Sequence, residues 1–342
     1  MPKMNRIRGT RMDTAITGAS GHIGGVLVRE ILGQGRTARV LARSDRRALE
    51  GLDAEIVDGD VTDPDSLMEL FDGVHTVFHL AAKISILGPE GGSVEKINVE
   101  GTKNVIAACL RRGVRRLIHF SSIHAFSSRP AGGVIDETRT LATGAGEFCY
   151  DRSKAVSQKM VMEASREGFD TVVLNPTAVV GPYDFKPSRM GETILDIYSN
   201  RYPILVDGGY NWVDVRDVVS CALAAEEKGA PGECYLVGGD WMAICDVARM
   251  VSRLTGKKTP TFPAPVWLLT IPAYCALALS KVTAMTPRLT PYALHTIRSH
   301  RLISHEKAER ELGYRPRPLE KTILDTLEWF RGQGILENRN GR

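Results

Sequence analysis

The sequence predicts an α/β fold, a doubly wound parallel sheet with helices on both faces and a smaller C-terminal domain. Three observations carry the prediction. Short β-rich runs alternate with helix-length amphipathic segments through the first half of the chain. The first run leads directly into a glycine-rich turn, Gly18-Ala19-Ser20-Gly21-His22-Ile23-Gly24, that opens a helix. After Pro176 the regularity breaks at Gly181-Pro182, Pro187, Pro203 and Gly208-Gly209 before a helix and a strand reappear.

Taken in order, residues 14–17 read as a strand, 23–32 as a helix and 38–42 as a second strand. Further strands are expected at 54–57, 76–80, 116–120 and 171–174, with an amphipathic helix at 102–112 among the connections. A helix at 215–227 and a strand at 233–237 follow the irregular stretch. No internal repeat, low-complexity tract or long linker interrupts the chain.

The composition is that of an ordinary globular protein: 342 residues, 43% apolar, 25% charged and 6% aromatic. Forty-four Lys and Arg against 40 Asp and Glu leave a net charge of +4, too little to imply a nucleic-acid partner. Six scattered cysteines form no C-x-x-C pair or metal-ligand set, so reduced thiols and no metal site are expected. The basic start lacks the apolar core of a secretory signal, and the cytoplasm is the expected compartment. Residues 1–11 are expected to be a flexible extension, with Met12 as an alternative start.

Residues 259–280 carry no charge, and 266–279 are almost wholly apolar. Pro263, Pro265 and Pro272 interrupt the stretch, so a packed helix or the wall of a substrate pocket is expected there. Membrane contact through 266–280 is the less favoured alternative.

The glycine turn points to a nucleotide. Glycines stand where the chain must turn tightly and let a pyrophosphate approach backbone N–H groups, beside the partial positive charge of a helix N-terminus. The spacing is G-x-x-G-x-x-G rather than G-x-G-x-x-G. Sequences preferring NAD place an acid at the end of the second strand, to bind the ribose 2′-hydroxyl. Here that position is Ala42, followed by Arg43, with Arg46 and Arg47 close behind. Such guanidinium groups suit a 2′-phosphate, so NADP(H) is the preferred cofactor and NAD(H) the alternative. Asp60-Val61 after the third strand is placed either to touch adenine or to make a turn.

Tyr150 and Lys154 stand at i and i+4, on one face of a helix. The ammonium is expected to favour the phenolate and lower the Tyr150 pKa, equipping it for proton transfer to a carbonyl oxygen. Upstream, a strand ends in His119-Phe120-Ser121-Ser122, where a hydroxyl is placed to donate to the same oxygen.

With those residues in this order the chain resembles the extended short-chain dehydrogenase/reductase superfamily, which includes the NAD-dependent epimerases and dehydratases. The matching segments run from 17 to 330. They include Gly59-Asp60-Val61, His79-Leu80-Ala81-Ala82, Asn98-Val99-Glu100-Gly101-Thr102, Asn175-Pro176 and Trp212-Val213-Asp214. The resemblance is nearest to the dihydroflavonol reductase-like and 3β-hydroxysteroid dehydrogenase-like branch.

The resemblance implies a Rossmann-type domain over 12–180, with 212–238 returning to it, and a substrate-binding domain from 181–211 and 239–332. It implies Ser122, Tyr150 and Lys154 as the catalytic residues, Ser122 holding the carbonyl and Lys154 also binding the nicotinamide ribose. The implied cofactor site comprises Gly18, Ser20, Gly21, His22, Ile23, Gly24, Arg43, Arg46, Asp60, Val61, Leu80, Ala81, Ala82, Asn98, Ser121, Tyr150, Lys154, Asn175 and Pro176. Asn98 would be a structural or proton-relay residue, and Asn175 and Pro176 would border the nicotinamide. His119 reads as structural, and His124 as a candidate substrate contact.

The expected function is therefore NADP(H)-dependent interconversion of a ketone or aldehyde and its alcohol on a fairly apolar small molecule. The alternatives are a nucleotide-sugar epimerase or dehydratase with retained NAD, for which Arg189, Arg201 or Arg288 would grip the diphosphate, and a non-catalytic NADP(H)-sensing regulator. The resemblance also implies a homodimer formed through helices beside the active site, one of them carrying Tyr150.

Overall fold

Alternation of buried parallel strands with amphipathic helices builds the larger part of the molecule. The computed structural model describes residues 13–340 except 131, 202–203, 261, 281–282 and 284–286. The expected extension at 1–11, the alternative start at Met12 and the break at Pro203 lie outside the described residues.

The chain opens with β1 (Thr14–Thr17), α1 (His22–Gly33), β2 (Ala38–Ala42), β3 (Glu55–Asp58), α2 (Pro64–Leu70) and β4 (Thr76–His79). A short turn, α3 (Ser93–Glu95), runs through a π-helical segment into α4 (Gly101–Arg112), followed by β5 (Arg116–Phe120), α5 (Cys149–Arg166) and β6 (Asp170–Pro176). Then come β7 (Ala178–Val180), α6 (Arg189–Tyr198), β8 (Leu205–Val206), β9 (Gly209–Asp214), α7 (Val215–Lys228) and β10 (Cys234–Val237).

Seven strands form one parallel sheet in the order β10-β6-β5-β4-β1-β2-β3. The chain winds outward from β1 in both directions, so the crevice between β1 and β4, at their carboxyl ends, is the topological switch point where ligands bind in such sheets. Val26, Leu27 and Ile31 of α1 and Val218, Val219 and Ala222 of α7 pack on one sheet face. Leu67 and Leu70 of α2, Val105 of α4 and Val161 of α5 pack on the other.

A smaller body is built from β11 (Asp240–Ala243), which joins β9 and β7 in a three-stranded sheet, with α8 (Ile244–Thr255) and β12 (Pro263–Ala264). The remaining helices are α9 (Val266–Ser280), α10 (Pro291–Thr296), α11 (Glu306–Leu312), α12 (Leu319–Gly332) and α13 (Ile335–Asn340). Its core gathers Ile194 and Ile197 of α6, Val247 and Val251 of α8, and Ile323 and Phe330 of α12.

One expectation fails here. Only Ala273 of α9 is buried, so 266–280 is not a packed helix. Val266, Thr270 and Tyr274 do line a cleft, as the pocket-wall alternative expects. Among the described residues no helix is long and apolar enough to cross a membrane.

Candidate active site

The candidate residues collect along one edge, because β1, β2, β4, β5 and β6 all end there. At the end of β1, Gly18 takes φ +74, and a Cβ on it would stand 2.6 Å from the Ala81 nitrogen. A Cβ on Gly24 would stand 2.3 Å from the Gly18 carbonyl oxygen. Both glycines are therefore required by close backbone approach, as the turn predicts. α1 starts after Gly21 with no side-chain cap and no acid in its first turn. Its N–H groups and partial positive charge face the crevice available for an anion.

Ser20 and Ile23 are half-buried in the same turn. The His22 ring bonds the Pro182 carbonyl at 2.9 Å and faces Asp184 at 4.0 Å. Thr17 and His79 join β1 to β4 by a 2.7 Å side-chain bond, and the other ring nitrogen of His79 meets Thr102 at 3.0 Å. Leu80, Ala81 and Ala82 continue from β4 across the glycine turn, with Leu80 N–H donating to the Thr17 carbonyl at 3.1 Å.

Beyond β2, Arg43 is 73% exposed and meets Asp60 at 3.3 Å. Asp60 also accepts from Thr62 N–H and Thr62 hydroxyl, so it serves as a turn residue. Arg46 bonds the Asp58 carboxylate and Arg47 bonds Asp45. The cluster is thus partly neutralised, with Arg43 the most exposed of the three side chains. Val61 is buried against Gly101.

At the end of β5, Ser121 is buried and its hydroxyl oxygen has no partner among the described residues. An orphaned hydroxyl, two glycines that must lack Cβ atoms and an uncapped helix N-terminus together fit a dinucleotide. Ser122 caps the following turn by accepting from His124 N–H at 3.2 Å. The Ser122 side chain is a neighbour that favours the Tyr150 phenolate. Asn175 donates to the Ser122 carbonyl at 2.9 Å and to Gln158 at 2.7 Å, and Pro176 closes β6 beside it.

The expected electrostatic pairing is corrected. Lys154 Nζ donates to the Phe120 carbonyl at 2.7 Å, and burial lowers its pKa to about 7. Burial pushes Tyr150 up to about 12, with the nearby Ser122 side chain as a smaller opposing influence. Desolvation of the phenolate outweighs any help from the lysine, so Tyr150 is a protonated phenol at neutral pH.

Asn98 is buried in the π-helical segment, donating to Ser153 at 2.8 Å and to the Lys83 carbonyl at 3.1 Å. Ser153 in turn donates to the Tyr150 carbonyl at 2.7 Å. Asn98 thus braces the helix that carries the tyrosine. His119 is fully buried, tilted on His79 with ring centroids 5.2 Å apart, as a structural residue would be.

Sequence reasoning missed the surroundings of Tyr150. Tyr150 packs with Ile86, Leu87 and Tyr292. The Tyr292 hydroxyl donates to the buried Asp151 carboxylate, which also faces His124 at 3.5 Å. His124 lies 5.9 Å from the Tyr150 ring, and burial lowers its pKa to about 4. Asp151 lay within the Tyr-x-x-x-Lys spacing as a spacer, and α10, which supplies Tyr292, bears no sequence signal for this site. Beyond these rings opens a cleft of about 550 Å³, lined among others by Tyr274, Leu294, His295 and His300. Among the described residues no His, Cys, Asp or Glu group is placed to hold a metal.

Residues 14–238 match the model of the NAD dependent epimerase/dehydratase family. The chain belongs to that family. It is 35% identical to sterol demethylase protein B of Methylococcus capsulatus, over 95% of this chain and 100% of that protein. It is 29% identical to a putative dihydroflavonol 4-reductase of Synechocystis, over 95% of this chain and 96% of that protein. The crystal structure of gox2253 superposes with a TM-score of 0.82 at 35% identity, covering 95% of this chain and 99% of that one. The protein is accordingly an NAD(P)-binding oxidoreductase of the extended short-chain dehydrogenase/reductase superfamily.

Proposed function

We propose that the protein is an NADP(H)-dependent reductase of ketones or aldehydes on fairly apolar small molecules. One observation carries the reading: Tyr150 is a buried, protonated phenol, with Ser122 as its electrostatic neighbour and Ile86, Leu87 and Tyr292 as its walls. Such a group is suited to give a proton to a carbonyl oxygen as charge develops there. The apolar wall favours a carbonyl carried on an apolar body over a heavily hydrated sugar.

In this reading the two glycines, the α1 N-terminus and Arg43 hold the dinucleotide, with Ser121 and Asn175 beside its nicotinamide end. A bound nicotinamide supplies the hydride. The Ser122 hydroxyl and Tyr150 hydroxyl orient the carbonyl oxygen, and Tyr150 passes its proton to that oxygen. Ser122 then hydrogen-bonds the phenolate, while Asn98 and Ser153 keep α5 in position. Exposure of Arg43 at the place where an acid would select NAD supports NADP(H).

A second reading has one observation in its favour. Arg189, at the start of α6, has Tyr150, Tyr210, Tyr292 and Glu90 as electrostatic neighbours. A cation so close to the tyrosine is suited to a substrate diphosphate, as in a nucleotide-sugar epimerase with retained NAD. Nucleotide analysis of the purified protein, followed by NADPH oxidation across apolar ketones and aldehydes, separates the two. Exchangeable coenzyme and steady NADPH consumption support the reductase; tightly retained NAD without net consumption supports the epimerase.

A further inference from the structure

From Val247 to His305 the chain contains no aspartate or glutamate and eight lysines and arginines, whereas the two signs nearly balance in the whole protein, at 44 to 40. Within that stretch lies α9, uncharged over 15 residues. Trp267 and Ile271 are each 75% exposed, and Leu268, Tyr274 and Leu279 are all more than half exposed. A helix apolar on every side is ordinarily buried in protein or in lipid. This one is covered by neither α10, its neighbour, nor the main sheet.

We propose that α9 is a shallow membrane-docking element that enters the interface of an anionic bilayer. At 15 residues the helix is about 22 Å long, short of the roughly 30 Å hydrocarbon core, so it dips in rather than crosses. Trp267 and Tyr274 are the residue types that settle at the headgroup level. Charge complementarity selects the lipid. Arg249, Arg253 and Arg288 pair with carboxylates, and Lys257 stacks on Tyr198. Lys258, Arg298 and Arg301 are exposed, Arg301 stacking on Trp241. Arg298 and Arg301 share the cleft with Val266, Thr270 and Tyr274 of α9, together with Arg129 and Arg139. No carboxylate stands among the described residues lining that cleft. The basic rim therefore adjoins the apolar helix, the arrangement that adds headgroup attraction to apolar insertion.

A second copy of the chain fits the surface less well. Two such faces brought together would set cations against cations, with no acid between 247 and 305 to pair them. The inference is independent of the redox reading, although a cleft opening at the bilayer would receive an apolar substrate directly.

The test is sedimentation of the full-length protein with vesicles of phosphatidylcholine alone or mixed with phosphatidylglycerol. Binding is expected to the mixed vesicles, with weaker binding to the neutral ones and weakening by salt. The double variant Trp267→Glu/Ile271→Glu is expected to lose binding altogether, with an unchanged unfolding transition because both side chains are already exposed. Lys258→Glu/Arg298→Glu is expected to lose about tenfold or more on the anionic vesicles alone. Vesicle binding untouched by either variant overturns the proposal. So does a protein that stays in the supernatant but forms dimers that Trp267→Glu/Ile271→Glu dissociates, which assigns α9 to a second copy.

Discussion

Lys154 donates its ammonium proton to the carbonyl oxygen of Phe120 at 2.7 Å, tying the tyrosine-bearing helix to the strand end that presents Ser122. Both partners are buried, and burial lowers the lysine pKa from 10.5 to about 7. Between those values the unfolded chain holds a proton that the folded one has released. The contribution of this group to stability therefore rises with pH across that window, and below it the full cost of burying the charge remains. Substituting Lys154→Met is expected to lose this pH dependence. In denaturant titrations, the stability of the variant relative to wild type is expected to fall as the pH rises from about 7 towards 10. A constant difference over that range would show that Lys154 titrates normally.

Arg43 stands next to Ala42, where an acid would select against a 2′-phosphate. Changing Arg43→Asp is expected to weaken NADPH by about tenfold or more while leaving NADH within about threefold, since a charge-assisted contact is lost only for the phosphorylated coenzyme. Coenzyme titration by calorimetry checks it. An unchanged ratio would leave Arg43 as a partner of Asp60 alone.

Gly24 supports the close crossing of α1 over the glycine turn. A Cβ there meets the Gly18 oxygen at 2.3 Å, so Gly24→Ala is expected to cost about 1–3 kcal/mol and to abolish measurable coenzyme binding. Gly33, at the other end of the same helix, has no atom within 4 Å of the place a Cβ would take, and Gly33→Ala is expected to be neutral or stabilising by up to about 1 kcal/mol. Thermal unfolding of the two variants side by side separates the crowded glycine from the replaceable one.

Much of the sheet was legible because its signals are local. The runs at 14–17, 38–42 and 116–120 coincide with β1, β2 and β5, and the glycine turn marks the close approach of Gly18 to Leu80 and Ala81 and of Gly24 to Gly18. The site was legible only in its skeleton. Spacing places Tyr150 and Lys154 on one helix face but is silent about the burial that raises the tyrosine and about the Phe120 oxygen that claims the ammonium. The Asp151–Tyr292 bond joins residues 141 positions apart, beyond the reach of any periodicity. In α9 apolarity on every side marked the helix without marking a buried face, and packing was inferred where exposure is found.

In the proposed reaction Tyr150 is the proton donor in a reduction that uses NADPH. The most direct measurement follows deuterium from C4-labelled NADPH into product by mass spectrometry, for the wild type and for Tyr150→Phe. Deuterium is expected at the carbinol carbon with the wild type. In the variant the expected rate is lower by about a hundredfold to ten-thousandfold, with coenzyme affinity unchanged. Label transfer at the wild-type rate by Tyr150→Phe would contradict this role.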